Sequence, residues 1–259
     1  MSYSDLDLDG WMALSDERAG HVAADIARAV GAELVGLRHQ QYAGRTFRLA
    51  LFHRGGIEYS LVPGGEVTLG FDAERFTPTP QQAADYAEDA ELYELPDLHT
   101  HLDNKTTPVR RVTLPALLVA TEAVHAEELS YLDAVDILSE QGERLLTPDE
   151  WEYACGAGAP TLWRWGDDCP DHYEYSPMKA IWGQANLFGL VFETDERTAE
   201  HDVVCGGDGG VTSHAGAESF LLHLPHATAF REEEQANWLP APDFADQICY
   251  RPVIPLKDT

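Results

Sequence analysis

Basic residues are scarce in this chain. Lys and Arg together number 17 against 45 Asp and Glu, a formal net charge of −28 at pH 7 across 259 residues. A field of that sign repels phosphate backbones and anionic headgroups, so neither nucleic acid nor a membrane surface is an expected partner. The charge itself reads as solubility, or as adaptation to a salty cytoplasm, rather than as a site. Long apolar runs are missing as well. No stretch approaches the roughly 18 consecutive apolar residues of a membrane-spanning helix, so none is expected. The opening MSYSDLDLDGW has neither a basic segment nor an apolar run, and a secretory leader is not expected. Cysteine is confined to Cys155, Cys169, Cys205 and Cys249, with no CxxC pair. That spacing excludes a disulfide framework and a zinc ribbon, and points to a reduced, cytosolic protein. No GxSxG elbow is present, which removes the argument for a Ser/His/Asp hydrolase. There is no internal repeat and no low-complexity linker.

What is present is ordinary globular material: 44% hydrophobic and 24% charged residues, enough for a sizeable core. Residues 1–60 read as a small α/β segment, and residues 61–259 as a second unit of different texture. In the first, Ser15 is placed to cap a helix whose first turn carries Asp16 and Glu17, where negative charge suits the helix dipole. Val22, Ile26 and Val30 then recur every four residues, and Gly31 ends the run. Strands are expected over 33–38, 46–53 and 57–62, the last two joined at Gly55-Gly56. From Pro63 the apolar runs shorten and turns rich in glycine, proline and aromatics multiply. Thr79-Pro80 starts a helix, residues 109–119 read as one strand, and residues 129–141 form an amphipathic helix with Leu132, Val135, Ile137 and Leu138 near one face. Thr147-Pro148-Asp149-Glu150 is a capping box with proline at the first helical position. No regular structure is expected over 156–246. Gly64-Gly65 and Gly206-Gly207 read as positive-φ turns.

Several pieces, in order, resemble the signature of the formylglycine-generating enzyme (sulfatase-modifying factor) family. Val62-Pro-Gly-Gly-Glu-Val-Thr-Leu-Gly70 resembles the family's opening strand and glycine turn. Pro108-Val-Arg-Arg-Val-Thr-Leu-Pro115, followed by Thr121-Glu-Ala-Val124, resembles the strand before its "EVT" segment. Arg144-Leu-Leu-Thr-Pro-Asp-Glu-Trp-Glu-Tyr-Ala154 is the strongest match, preceded by Asp133-Ala-Val135. Trp163-Arg-Trp-Gly-Asp167 sits where the family has "PWGD". Asn186-Leu-Phe-Gly-Leu190 resembles "NxFGL", Cys205-Gly-Gly207 the "RGGS" turn, and Tyr250-Arg-Pro-Val253 the closing "GFR" strand. The resemblance covers roughly residues 60–256. It implies an α+β fold, that family's variant of the C-type-lectin-like fold, with little regular secondary structure and the small N-terminal α/β segment added. On that scaffold Trp151 and Tyr153 are expected in the core.

The family's chemistry is where the resemblance stops. Its oxidases follow the "RGGS" turn with two cysteines, four residues between them, whose thiolates bind copper and oxidise a substrate cysteine. Residues 209–231 contain no cysteine, and counting back from Arg231 places Glu218 and His223 at the two positions. Formylglycine generation is therefore not expected. The family's "GNVWEW" calcium segment is likewise replaced, by residues 191–200 (VFETDERTAE); calcium is allowed by hard oxygen ligands but has no motif behind it.

Two classes of function follow. One is a binding or accessory protein for a small-molecule or protein ligand, in which irregular loops present aromatics such as Trp163, Trp165, Tyr173, Tyr175, Trp182 and Trp238. The other is a transition-metal enzyme. Asp97, His99, His101 and Asp103 alternate, and if extended they share one face with the ligand types of non-haem iron. The reading preferred for this segment is a solvated loop. His226 joins Glu218 and His223 in a second candidate cluster, where the preferred reading of the two histidines is partly buried core imidazoles. The related ergothioneine-type sulfoxide synthases use an HxxxHxE helical bundle for iron, a pattern missing before residue 60. Of the two classes, the binding protein is the expectation carried forward.

Overall fold

Capping chemistry decides where the helices begin. The computed structural model describes residue 3 and residues 6–126, 131–169, 181, 183–192, 197–198, 204–207, 219–232 and 248–256. Helix α1 (Leu8–Ala13) follows Asp7, whose carboxylate accepts from Gly10 N at 2.6 Å. Helix α2 (Asp16–Val30) starts where Ser15 accepts from Arg18 N and stops at Gly31, φ 67°. Its innermost stripe is Ala19, Ala23, Ile26 and Ala27, with Val22 and Val30 only partly covered. The small side chains let the helix lie close to the sheet. Helix α3 (Pro80–Tyr93) and helix α6 (Pro148–Gly156) both begin with complete capping boxes, at Thr79/Gln82 and Thr147/Glu150. Between them come α4 (Leu98–Lys105) and α5 (Tyr131–Glu140), and α7 (Ser219–His223) follows late in the chain.

The segment 97–103 is neither an extended ligand face nor a loop. Asp97 accepts from Thr100 N (3.1 Å) and Thr100 Oγ1 (2.6 Å), which starts α4. An aspartate N-cap overrides the alternating pattern, and a helical period sends His99 and Asp103 to one side and His101 to the other.

Strands β1 (Glu33–Tyr42), β2 (Arg45–Arg54) and β3 (Ile57–Val62) form consecutive hairpins. Both turns hold two residues at positive φ, Ala43-Gly44 (47° and 73°) and Gly55-Gly56 (61° and 90°). That conformation matches the twist of the flanking strands. Strands β4 (Gly65–Leu69) and β5 (Arg110–Leu114) pair with each other, whereas β6 (Leu117–Ala120) joins β3. The expected single strand over 109–119 is thus two strands in two sheets. Pro115, which has no N–H to offer, marks the crossing. Gly64 lies against Leu114, Pro115 and Ala116 so closely that a Cβ would collide with their backbone. Its glycine serves close approach, and in the pairs Gly64-Gly65 and Gly206-Gly207 it is the second member, Gly65 (97°) and Gly207 (109°), that has positive φ.

The remaining strands are short: β7 (Val124–Ala126), β8 (Arg197–Thr198), β9 (Val204–Cys205), β10 (Arg231–Glu232), β11 (Ile248–Tyr250) and β12 (Val253–Pro255). Strand β12 closes an antiparallel five-stranded sheet of order β1-β2-β3-β6-β12. The fold is mixed α+β, with seven α-helices among the described residues. None of those helices is long and apolar enough to cross a membrane. Residue 60, where the composition changes, lies within β3, and the sheet takes strands from both sides of it.

Two hydrophobic clusters result. The larger packs α1, α2 and α6 on the five-stranded sheet around Trp11, Phe47, Phe52, Tyr59, Trp151 and Phe188. The smaller gathers Phe71, Phe76, Tyr86, Leu102, Trp163 and Phe220 from the segment between β4 and α3, from α3, α4 and α7, and from the loop after α6. Burying each such side chain contributes about 1.5–3 kcal/mol. The second cluster is the one that receives the histidines.

Candidate functional site

Helix α7 and the 3-10 turn after it (Leu224–His226) set His223 and His226 at the inner edge of the smaller cluster. Backbone contacts fix the turn. Trp163 Nε1 donates to His223 O (2.7 Å), Gly207 N to Pro225 O (2.9 Å) and Gly206 N to Phe230 O (2.9 Å). Proline inside the turn prevents α7 from continuing, so the chain folds back onto Trp163. The two imidazole centroids lie 6.2 Å apart with the rings inclined at 45°. Trp165 stacks on Trp163 at 5.9 Å, nearly parallel, and its ring is 6.3 Å from His226. Phe220 meets Trp163 edge-on at 5.9 Å. The guanidinium of Arg164 lies over Trp165 (5.3 Å) and Phe192 (5.7 Å) and donates to Gly207 O. Both tryptophans of the Trp163-Arg-Trp motif therefore line this site.

Burial sets the charge state. His223 is 9% exposed and His226 5%. Removing the imidazolium from water pushes His223 down to about 4. Burial first, then the positive charges of Arg164 and of a protonated His223, holds His226 well below the usual range. Both rings are neutral at pH 7. Their folded pKa values lie below the unfolded value of about 6.5, so the unfolded chain binds more protons on acidification. This stabilising difference is complete above pH 6.5 and is lost as pH falls from there through about 4. Urea unfolding at pH 7, 6 and 5 is expected to show stability falling by about 1.4 kcal/mol per pH unit for each histidine in that window. His223→Phe should flatten the slope; an unchanged slope would show that His223 does not contribute to it.

The other candidates are placed as follows. His101 is buried (6% exposed) beside Tyr86, ring centroids 5.6 Å apart, and Tyr86 in turn meets Phe220 at 6.0 Å. His99 is exposed and its Nε2 lies 3.0 Å from Phe76 O; Asp97 caps α4, and Asp103 is exposed. The fold thus links His101 to His226 through the rings of Tyr86, Phe220, Trp163 and Trp165, and leaves the two carboxylates on the surface. Among the described residues, no group of three or more His, Cys, Asp and Glu side chains is arranged to hold a metal ion. Glu218, most of the acidic segment 191–200, and Tyr173, Tyr175, Trp182 and Trp238 lie outside the described residues.

Three polar ties were not read from sequence. Glu152, 3% exposed, accepts from Gly70 N, Thr107 Oγ1 (3.1 Å), Arg110 Nη2 (3.1 Å) and Arg231 Nη2 (2.8 Å). Asn186, fully buried, donates to Ala154 O (2.7 Å) and Cys155 O (2.9 Å) and accepts from Phe188 N (3.0 Å) and Leu190 N (3.1 Å). Arg251 donates to Ala120 O and Val191 O, with its guanidinium 4.5 Å from the Phe192 ring. The signal was a polar residue embedded in an aromatic motif: in a core, such a residue must be hydrogen-bonded. No protein-family model matches the chain, and no curated protein matches it.

Proposed function

We propose that this chain is a non-catalytic binding or accessory protein, for a small-molecule or protein ligand, on a formylglycine-generating-enzyme-type lectin-like scaffold. The observation that carries the proposal is the state of His223. At a position matching the family's reactive cysteine pair stands a buried, neutral imidazole beside His226, its backbone carbonyl held by Trp163 Nε1. A thiolate nucleophile needs an electropositive, partly open setting, and this one is closed. The scaffold half of the reading is supported by the motif residues themselves. Glu152, Trp163, Asn186 and Arg251 are buried and tie loops to α6, to β6 and to the turn after α7. Such ties hold irregular loops on a fixed base, the arrangement from which loops present a recognition surface.

A metal-dependent oxidase is the second reading, and one observation favours it: two neutral imidazoles side by side, the protonation state that ligates. A single measurement separates the two. Elemental analysis of protein purified without a metal-affinity tag is expected to find no stoichiometric iron, copper or zinc. Supplied with copper and a cysteine-containing peptide, the protein is expected to leave the cysteine intact by mass spectrometry. Near-stoichiometric metal that disappears in His223→Ala or in His99→Ala/His101→Ala, or conversion of the cysteine, would sink the non-catalytic reading.

A further inference from the structure

Strand β2 pairs with β1 from Arg45 to His53 but with β3 only from Leu51 to Arg54. Carrying the β2–β3 register further would set Pro63 opposite Arg48, and proline has no N–H to give a ladder. Arg48 turns both backbone groups to helix α1 instead. Trp11 Nε1 donates to Arg48 O at 2.7 Å, and Arg48 N donates to the thioether of Met12, 3.2 Å from Sδ. Two helix side chains thus satisfy backbone that a neighbouring strand would otherwise pair.

The rest of the N-terminal segment closes around the same residue. Arg48 Nη1 donates to Trp11 O (3.0 Å), and its Nη2 pairs with Asp16 at 3.1 Å. Gly64 N donates to Leu6 O (2.9 Å). Trp11 is fully buried and Arg48 is 7% exposed, whereas Met12 is only partly covered. Among these ties the bond from Arg48 N to Met12 is the one made to sulfur, a weak acceptor and one that small oxidants attack.

We propose that Met12 is an oxidation site through which a peroxide loosens α1 from the sheet. A sulfur lone pair attacks one peroxide oxygen, the S–O bond forms as the O–O bond breaks, and water leaves. The thioether is oxidised by two electrons and the peroxide is reduced. The product does not fit the clasp. A sulfoxide oxygen aimed at Arg48 N needs sulfur and nitrogen about 4 Å apart, for an S–O bond of about 1.5 Å and an N–H···O distance of about 2.9 Å. The sulfur sits at 3.2 Å. With the oxygen aimed elsewhere, the N–H of a largely buried residue loses its acceptor and faces a positively polarised sulfur. In both cases Met12 is pushed from its seat, and with it the helix that holds Trp11 against β2.

Peptide mass spectrometry and thermal unfolding of the full chain, before and after hydrogen peroxide, test it. One oxygen is expected on Met12, with Tm lower by about 4–8 °C. Hydrogen exchange should quicken at the Arg48 and Gly64 amides, whose acceptors belong to the displaced segment. The two methionine sulfoxide reductases with a dithiol, which remove the oxygen as water, should restore Tm; over-oxidised thiols would not recover. Met12→Leu, which keeps Met1 and Met178, should hold its Tm through the same treatment. Met12 left intact while free methionine is converted would overturn the proposal. So would oxidation of Met12 with Tm and Arg48 exchange unchanged, or a loss of Tm in Met12→Leu as large as in wild type.

Discussion

Glu152→Ala is expected to destabilise the protein by about 3 kcal/mol, the lower end of the range for removing one partner of a buried ion pair. Glu152 is 3% exposed and Arg231 12%, so the alanine variant leaves a largely buried guanidinium without its carboxylate. Arg110, at 27% exposed, keeps Asp149 and part of its water, which is why the upper end is not expected. Gly70 N and Thr107 Oγ1 lose their acceptor in the same step. These contacts join α6 to the strand region on one side and to β10 on the other, so the loss should register as a lower urea midpoint with the slope preserved. Glu152→Gln, which retains an acceptor but no charge, should fall between wild type and alanine. Arg111 gives the contrast: its pair with Glu66 is 76% and 67% exposed, and Arg111→Ala should leave the midpoint where it was. A Glu152→Ala midpoint within error of wild type would mean that the cluster adds nothing to stability.

Asn186→Ala should cost about 4 kcal/mol, taking about 1 kcal/mol for each of the four backbone groups its side chain satisfies. For a chain of this size that corresponds to a fall in Tm of about 8–16 °C. Asn186→Asp tests the mechanism more sharply, because a carboxylate cannot donate to Ala154 O and Cys155 O and would place charge against two carbonyls. It is expected to be at least as harmful as alanine despite its near-identical shape. Hydrogen exchange should locate the damage at the Phe188 and Leu190 amides, which bond to Asn186 Oδ1. Unchanged protection there, with an unchanged Tm, would refute the tie between this turn and α6.

Local chemistry was legible in the sequence wherever a side chain acts on its own backbone. Ser15 and Gly31 bound α2, Thr79 and Pro80 open α3, and Thr147 with Glu150 opens α6, each as the cap and proline rules require. The Gly55-Gly56 hairpin followed from two residues free to take positive φ. The alternating segment 97–103 misled because the period-two pattern carries no information about Asp97, whose cap bonds to Thr100 commit the chain to a helix. The run 109–119 misled because periodicity cannot tell which sheet a strand joins; Pro115 and the contact with Gly64 divide it.

By itself, then, the sequence determined the starts of α2, α3 and α6, the Gly55-Gly56 turn and the net charge, all but the last consequences of groups a few residues apart. Only the tertiary structure decided which polar side chains are buried and what they meet. His101, His223 and His226 share a cluster, Glu152 gathers two arginines, and Arg251 reaches the carbonyls of Ala120 and Val191. Those outcomes depend on loss of water and on partners up to 131 residues away, as Arg251 is from Ala120. Desolvation is a property of the packed body, and no spacing along the chain encodes it.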